Sequence, residues 1–160
     1  MNAEFDKLLP ALAQGGVEFI LVGGVAGTIH GAARVTYDVH VVYARNSANF
    51  KRLIETLKPL APYLRGAPPG LPFEWDEKTI RNGLNFTLTT MLGDLDLLGE
   101  VAGGGGYRDL LPHTFEVEAF GVEFKCVDLL TLIKLKRAAG RPKDLESLAE
   151  LQALLEEQKS

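Results

Sequence analysis

The chain has 160 residues, 46% of them hydrophobic and 24% charged, with a formal net charge of −4 at pH 7. These values are typical of a soluble globular protein, and we expect one domain over 1–160 that is large enough to bury a core. The negative charge excludes a global basic field for nucleic acid, and no apolar run reaches the roughly 18 residues that span a bilayer. The single cysteine, Cys126, excludes an internal disulfide and is expected in the core, so we predict a cytoplasmic protein with no membrane partner.

The first part of the chain predicts a helix, a strand and a glycine turn. Apolar residues recur at helical spacing over 3–14, and a continuous apolar run predicts a strand over 17–22. The pair Gly23-Gly24 follows and leads into a short segment of small side chains over 25–30. Glycines before a helical segment let a substrate approach the backbone, and the start of a helix offers unpaired N–H groups to an anion. This stretch therefore indicates a site that handles phosphate.

The second strand carries the first acidic candidate. Side chains alternate across a strand, so Asp38 and His40 share one face while Val39 and Val41 point to the other. Arg34 precedes this strand and is placed either to meet a phosphate or to neutralise Asp38. The sequence leaves both roles open.

The middle of the chain predicts a helix and a long loop. Ser47 is expected to be the N-cap of a helix that ends before Pro59. A connection rich in proline and glycine follows over 59–72, and such long loops often form lids or binding edges. Arg65 and Trp75 are candidates for base stacking there, with structural packing favoured for the tryptophan.

A further pair of acids lies on a later strand. The alternating segment 84–90 is followed by a second strand pattern that places Asp94 and Asp96 on one face, with leucines on the other. If this strand lies beside the second strand, Asp96 faces Asp38 and His40. The three side chains would then form one polar cluster.

The end of the chain predicts a hairpin and then two helices. Asp128 is a suitable N-cap for a helix that closes at Gly140, and Pro142 suits the first position of the last helix. We therefore expect a core over about 15–126 and C-terminal helices over about 128–157.

Basic residues are concentrated in this C-terminal part. Five of them fall within ten positions: Lys134, Lys136, Arg137, Arg141 and Lys143. A solvated helix face and a contact with nucleotide or RNA explain this pattern equally well.

Taken in order, the apolar strand, Gly23-Gly24, Asp38 and the later Asp96 resemble the signature of the nucleotidyltransferase superfamily. In that signature the strand after the glycines carries two acids, and here His40 stands in the place of the second. The likeness covers nearly the whole chain. The chain is similar to an uncharacterised prokaryotic branch of this superfamily, and that branch resembles the nucleotidyltransferase toxins of abortive-infection toxin–antitoxin systems.

The resemblance implies an α/β (α+β) nucleotidyltransferase fold, a small mixed β-sheet flanked by helices with a C-terminal helical pair. It also implies that Gly23 and Gly24 hold the phosphates of a nucleoside triphosphate (NTP). Asp38 and Asp96 would bind Mg²⁺ or Mn²⁺, and the reaction would transfer an NMP to a hydroxyl of RNA, a protein or a small molecule.

Residues near the C-terminus add to the resemblance. In the toxins a lysine is followed by a basic residue and an aspartate, and Lys136 with Lys143-Asp144 look similar to this set. The usual closing acid is replaced by Ser147.

His40 leaves three interpretations open, because Mg²⁺ prefers oxygen ligands and does not favour imidazole. The site is catalytically inactive but binds nucleotide, or it accepts a softer ion such as Mn²⁺ or Zn²⁺, or Asp94 supplies the missing oxygen. The alternative to an enzyme is therefore an inactive nucleotide-binding module, or a toxin-like protein that interacts with an antitoxin partner.

Overall fold

The structure is a computed structural model that describes residues 4–33 and 38–159. The helices within these ranges are α1 (Phe5–Gln14), α2 (Gly23–Ile29), α3 (Ser47–Leu57), α4 (Glu77–Asn82), α5 (Tyr107–Leu110), α6 (Leu129–Ala139) and α7 (Pro142–Lys159). The strands are β1 (Phe19–Val22), β2 (Asp38–Tyr43), β3 (Tyr63–Leu64), β4 (Phe86–Thr90), β5 (Gly93–Leu98), β6 (Thr114–Ala119) and β7 (Val122–Val127). Short 3₁₀ turns lie at Lys58–Leu60 and Leu111–His113.

All seven strands of the described ranges belong to one mixed sheet, in the order β3-β4-β5-β2-β1-β7-β6. The pairs β1–β7 and β2–β5 are parallel, and the other neighbours are antiparallel. Helices α6 and α7 pack against each other at the C-terminal end of the chain. The predicted mixed sheet with flanking helices and a C-terminal helical pair is therefore confirmed.

The core lies against the central strands, as the sequence pattern predicts. All four positions of β1 are buried, which fits a strand covered on both faces. In β2, Val39 and Val41 are fully buried while Asp38 and His40 retain some exposure. Alternation along the strand thus sends Val39 and Val41 to one face, in the core, and Asp38 and His40 to the other.

Helix α1 buries the apolar face that its periodicity predicts. Leu8, Leu9 and Leu12 have no exposed surface, and the helix contacts β7 and α3. Burial of a leucine side chain contributes about 1.5–3 kcal/mol, so these three positions account for much of the attachment of α1.

The first strand is shorter than predicted, because β1 begins at Phe19 rather than at Val17. The N–H of Val17 donates to Leu12 O at the end of α1, at 3.1 Å. The N–H of Glu18 donates to the buried side chain of Asn49, at 2.7 Å. Both backbone groups are therefore paired outside the sheet.

The predicted N-cap at Ser47 is wrong by one residue. Asn46 has an extended backbone, and its side-chain oxygen accepts the N–H of Asn49 at 2.9 Å, whereas Ser47 is already the first helical residue. Either residue type can cap a helix, and the backbone conformation decides between them.

Helix α4 is a feature that the sequence pattern does not predict. It spans a single short segment, Glu77–Asn82, in which only Ile80 is buried. One apolar residue gives no periodicity to detect. The helix is marked instead by its N-cap Asp76, whose side chain accepts the N–H of Thr79 at 2.8 Å.

Cys126 is fully buried in β7, as expected for a core cysteine. Burial raises the pKa of its thiol to about 12. The thiolate that a nucleophilic role would require is therefore disfavoured.

Candidate metal and nucleotide site

The parallel pairing of β2 with β5 assembles the acidic cluster. In this register Asp38 lies opposite Asp94, and His40 lies opposite Asp96. Residues two apart on a strand share a face, so all four side chains project from the same side of the sheet. The sequence left open whether Asp38, His40 and Asp96 converge, and the pairing of β2 with β5 brings them together.

Three of these side chains form a group that could hold a metal ion. Ligand atoms of Asp38, His40 and Asp96 all lie within 4.8 Å of one another. The group offers two carboxylates and one imidazole, and this donor set fits a divalent cation. The imidazole makes the set softer than the all-oxygen coordination that Mg²⁺ prefers.

His40 bridges the two carboxylates. Its Nε2 lies 2.6 Å from Asp38 Oδ2 and 3.2 Å from Asp96 Oδ2. Ionised carboxylates only accept hydrogen bonds, so Nε2 carries the proton in this arrangement. The hydrogen bond from His40 is the main reason that the pKa of Asp38 is lowered, against the opposing effect of burial.

Arg65 is the functional candidate whose position the sequence does not predict. Its Nη2 lies 2.7 Å from Asp96 Oδ1, its Nε lies 3.3 Å from Asp94 Oδ2, and its Nη1 lies 3.8 Å from Asp38 Oδ2. The guanidinium therefore contacts all three acids of the cluster. The loop that carries Arg65 has no periodicity, and its enrichment in proline and glycine was the only available signal.

Asp94 differs from the other two acids. It is not part of the Asp38–His40–Asp96 group among the described residues, and its carboxylate faces Arg65. Its predicted role as a replacement metal ligand would require a rearrangement of this ion pair.

The glycine turn packs directly against the cluster. Val22 pairs with His40 in the sheet, so Gly23 begins α2 immediately above the imidazole. Gly23 has a φ of +74°, and a Cβ placed on it would lie 3.0 Å from the Cβ of His40. Glycine is required here both by the backbone and by the space.

A cavity of about 490 Å³ opens beside the turn and is bounded by the sheet, α2, α6 and α7. This volume is within the range of small-molecule sites. The cavity is lined by most of the predicted site residues: Gly23, Gly24, Asp38, His40, Asp96, Lys136, Lys143 and Asp144. Asp94 is not part of this lining, and Arg34 lies outside the described residues.

In the C-terminal part of this cavity, Asp144 pairs with two cationic side chains. Arg141 Nε donates to Asp144 Oδ2 at 2.7 Å, and Lys136 Nζ lies 3.9 Å from Asp144 Oδ1. Burial would raise the pKa of Asp144, but the hydrogen bond and charge of Arg141 outweigh it and lower this pKa. Ser147 donates its hydroxyl to the backbone oxygen of Asp144 at 2.8 Å.

The five basic residues of the C-terminal part do not share one environment. Lys136, Arg141 and Lys143 line the cavity beside the Gly23-Gly24 turn, whereas Lys134 lines a separate cavity beside Gly103–Gly105. The arrangement favours an anion contact for the first three.

His30, at the end of α2, and the candidate Trp75 both make structural contacts. The ring of His30 hydrogen-bonds the backbone oxygen of Val127 at 2.8 Å, and Trp75 donates to Leu53 O at 3.2 Å. The packing role favoured for the tryptophan agrees with its edge-on contact with Phe86.

No family model matches the chain, and no curated protein matches it significantly. Among the helices of residues 4–33 and 38–159, none combines the length and apolar character needed to cross a bilayer.

Proposed function

We propose that this chain is a nucleotidyltransferase-fold protein that binds an NTP together with Mg²⁺ or Mn²⁺ and transfers an NMP to a hydroxyl acceptor. The acceptor would be RNA, a protein or a small molecule. The observation that carries the proposal is the parallel β2–β5 pairing, which holds Asp38 and Asp96 on one face beside the Gly23-Gly24 turn.

The residues of the cavity have distinct roles in this proposal. Asp38 and Asp96 would hold the cation, which when bound neutralises phosphate charge. Lys136 on α6, Lys143 on α7 and Arg141 between these helices line the same cavity and would attract the phosphates. Apolar residues complete the lining and offer a surface for the base and ribose: Val22, Leu98, Val101, Leu132 and Leu135.

His40 determines which cation the proposed site prefers. Because imidazole is a better ligand for Zn²⁺ than for Mg²⁺, we expect Mn²⁺ or Zn²⁺ to bind more tightly than Mg²⁺. His40 must also give up the hydrogen that it donates to Asp38 before Nε2 can serve as a ligand.

The second candidate is an inactive nucleotide-binding module, or a toxin-like protein that binds an antitoxin. Two observations favour it. His40 fills the space between the carboxylates with a donor, and Ser147 places a hydroxyl where the toxins have an acid. A cytoplasmic location and an antitoxin partner remain predictions.

The test is a calorimetric titration of ATP, GTP, CTP and UTP, with Mg²⁺ and then with Mn²⁺. Wild type is compared with His40→Asp, which restores an acid at the cluster. His113→Asp is the matched control, because it makes the same change at an exposed position outside the cavity beside the Gly23-Gly24 turn. We expect His40→Asp alone to bind Mg²⁺ with nucleotide about tenfold more tightly, a change of about 1.4 kcal/mol.

Labelled NTP added with cell extract then separates the two candidates. Label on an acceptor with the wild-type chain supports the enzyme. Label only with His40→Asp supports the inactive module. Failure of both chains to bind any of the four nucleotides would rule out both candidates as nucleotide-binding proteins.

A further inference from the structure

We propose that Arg65 occupies the position of a second cation in the acidic cluster, so that the wild-type site takes one divalent ion. This inference rests on the metal-binding part of the proposed function. It adds to the proposed function the number of divalent ions that the site binds and the residue that limits this number.

The contacts of Arg65 divide the cluster into two sides. Asp96 directs Oδ1 to the guanidinium and Oδ2 to the imidazole of His40. Asp94 contacts only Arg65 among the described ion pairs, whereas Asp38 Oδ2 lies near both groups. The Asp38–His40–Asp96 side is thus available to a metal ion, and the Asp94 side is taken by a side-chain cation.

Arg65 is held in place by the backbone of β4 as well as by the acids. Its own N–H donates to Thr87 O at 3.0 Å, and its Nη2 donates to Leu88 O at 2.8 Å. Its side chain is only 27% exposed. The guanidinium is therefore a fixed component of the cluster, unlike the mobile cation of a surface ion pair.

The charges of the cluster match a single divalent ion. Asp38, Asp94 and Asp96 carry three negative charges, and Arg65, which stays protonated in proteins, offsets one of them. The two remaining charges balance one divalent cation. A second cation about 3.5–4 Å from the first, as in two-metal sites, would be repelled by the guanidinium.

Asp94 is the acid that removal of Arg65 would release. Arg65 Nε is buried and makes no hydrogen bond, although it lies 3.3 Å from Asp94 Oδ2. Their contact is a charge interaction without favourable hydrogen-bond geometry. Without Arg65, the Asp94 carboxylate would be left facing two other acids and would favour a metal ion.

The experiment counts Mn²⁺ bound to the full chain, from the electron paramagnetic resonance signal of free Mn²⁺. Wild type is compared with Arg65→Gln, which removes the charge, and with Arg65→Lys, which keeps it. Arg52→Gln is the matched control, since Arg52 is more exposed and pairs only loosely with Glu18, at 3.7 Å.

We expect one bound Mn²⁺ for wild type, Arg65→Lys and Arg52→Gln, and a second for Arg65→Gln. The Kd of the first ion should fall about tenfold in Arg65→Gln, because unit charges at these separations interact strongly enough for such a change. Asp94→Asn gives an independent test that keeps Arg65. This variant should raise the Kd of the one bound Mn²⁺ about tenfold, because the cluster then has a single negative charge that Arg65 does not offset.

The outcomes separate this inference from the proposed function. One Mn²⁺ with the same Kd in wild type and in folded Arg65→Gln would overturn the inference and leave the proposed function standing. If circular dichroism shows Arg65→Gln to be unfolded, an unchanged Kd in Asp94→Asn would overturn it instead. Absence of Mn²⁺ binding by wild type and all variants would overturn both the inference and the metal site.

Discussion

The buried carboxyl of Asp144 makes the stability of the C-terminal helices depend on pH. Its side chain is 5% exposed and accepts two hydrogen bonds from Arg141, at 2.7 and 3.3 Å. The pKa of Asp144 is lowered from its ordinary value of 3.8. A carboxyl with a lowered pKa contributes stability that is complete above its unfolded-state pKa and is lost as the pH falls through the folded-state value.

We therefore expect Asp144→Asn to reduce the free energy of unfolding at neutral pH by about 2 kcal/mol, since a charged hydrogen bond is lost in a buried place. The difference from wild type should shrink as the pH falls below about 4. Urea unfolding from neutrality to about pH 3 measures both effects. The exposed Asp6→Asn is the control, and a constant difference between wild type and Asp144→Asn across this range would contradict the prediction.

The sequence could place the site residues that lie on strands, but it could not place those that lie on loops. Alternation with period two places Asp38, His40 and Asp96 on one face once their strands are recognised, so the cluster was predictable apart from the strand pairing itself. Arg65 follows a two-residue strand in a segment without a pattern. Its direction depends on tertiary contacts with Asp94 and Leu88, which local sequence does not encode.

At the scale of elements, the turn from β1 to α2 combines two separate demands on Gly23. Its positive φ of +74° strains any side chain, and the space above it is filled by His40. Gly121 isolates the first demand, because it has a φ of +78° with nothing within 4 Å of an added Cβ.

We expect Gly23→Ala and Gly121→Ala each to lose about 1 kcal/mol of stability from the backbone alone. Gly23→Ala should also displace His40 and weaken Mn²⁺ binding at least severalfold, whereas Gly121→Ala should bind Mn²⁺ as wild type does. Thermal unfolding and Mn²⁺ titration of the two variants test this. Equal metal affinity in both would show that the close approach to His40 has no functional role.

Elements were predictable in proportion to their buried apolar residues. Helix α1 has three buried leucines and is recognised from its periodicity, while α4 buries only Ile80 and escapes recognition. Element ends were less certain, as Ser47 shows, because a cap is chosen by backbone conformation that neighbouring sequence barely constrains.

At the scale of the whole molecule, the cavity beside the Gly23-Gly24 turn joins segments that are distant in sequence. Its walls come from the β1–α2 turn, from β2 and β5, and from the C-terminal helices α6 and α7. A nucleotide bound there would contact both parts of the chain only when they are packed together. Binding should therefore stabilise the entire fold, because a ligand that binds only the native state shifts the unfolding equilibrium.

Lys136 provides the test of this coupling. Its side chain is 14% exposed and lines the cavity on α6, whereas the exposed Lys134 on the same helix lines the other cavity. We expect a nucleotide at about a hundredfold excess over its Kd, with Mn²⁺, to raise the Tm of wild type by roughly 5–10 °C. Lys136→Gln should lose more than half of this increase through the lost phosphate contact, and Lys134→Gln should retain it. Differential scanning fluorimetry measures all three chains, and an equal loss in both variants would mean that charge in general, rather than this cavity, attracts the nucleotide.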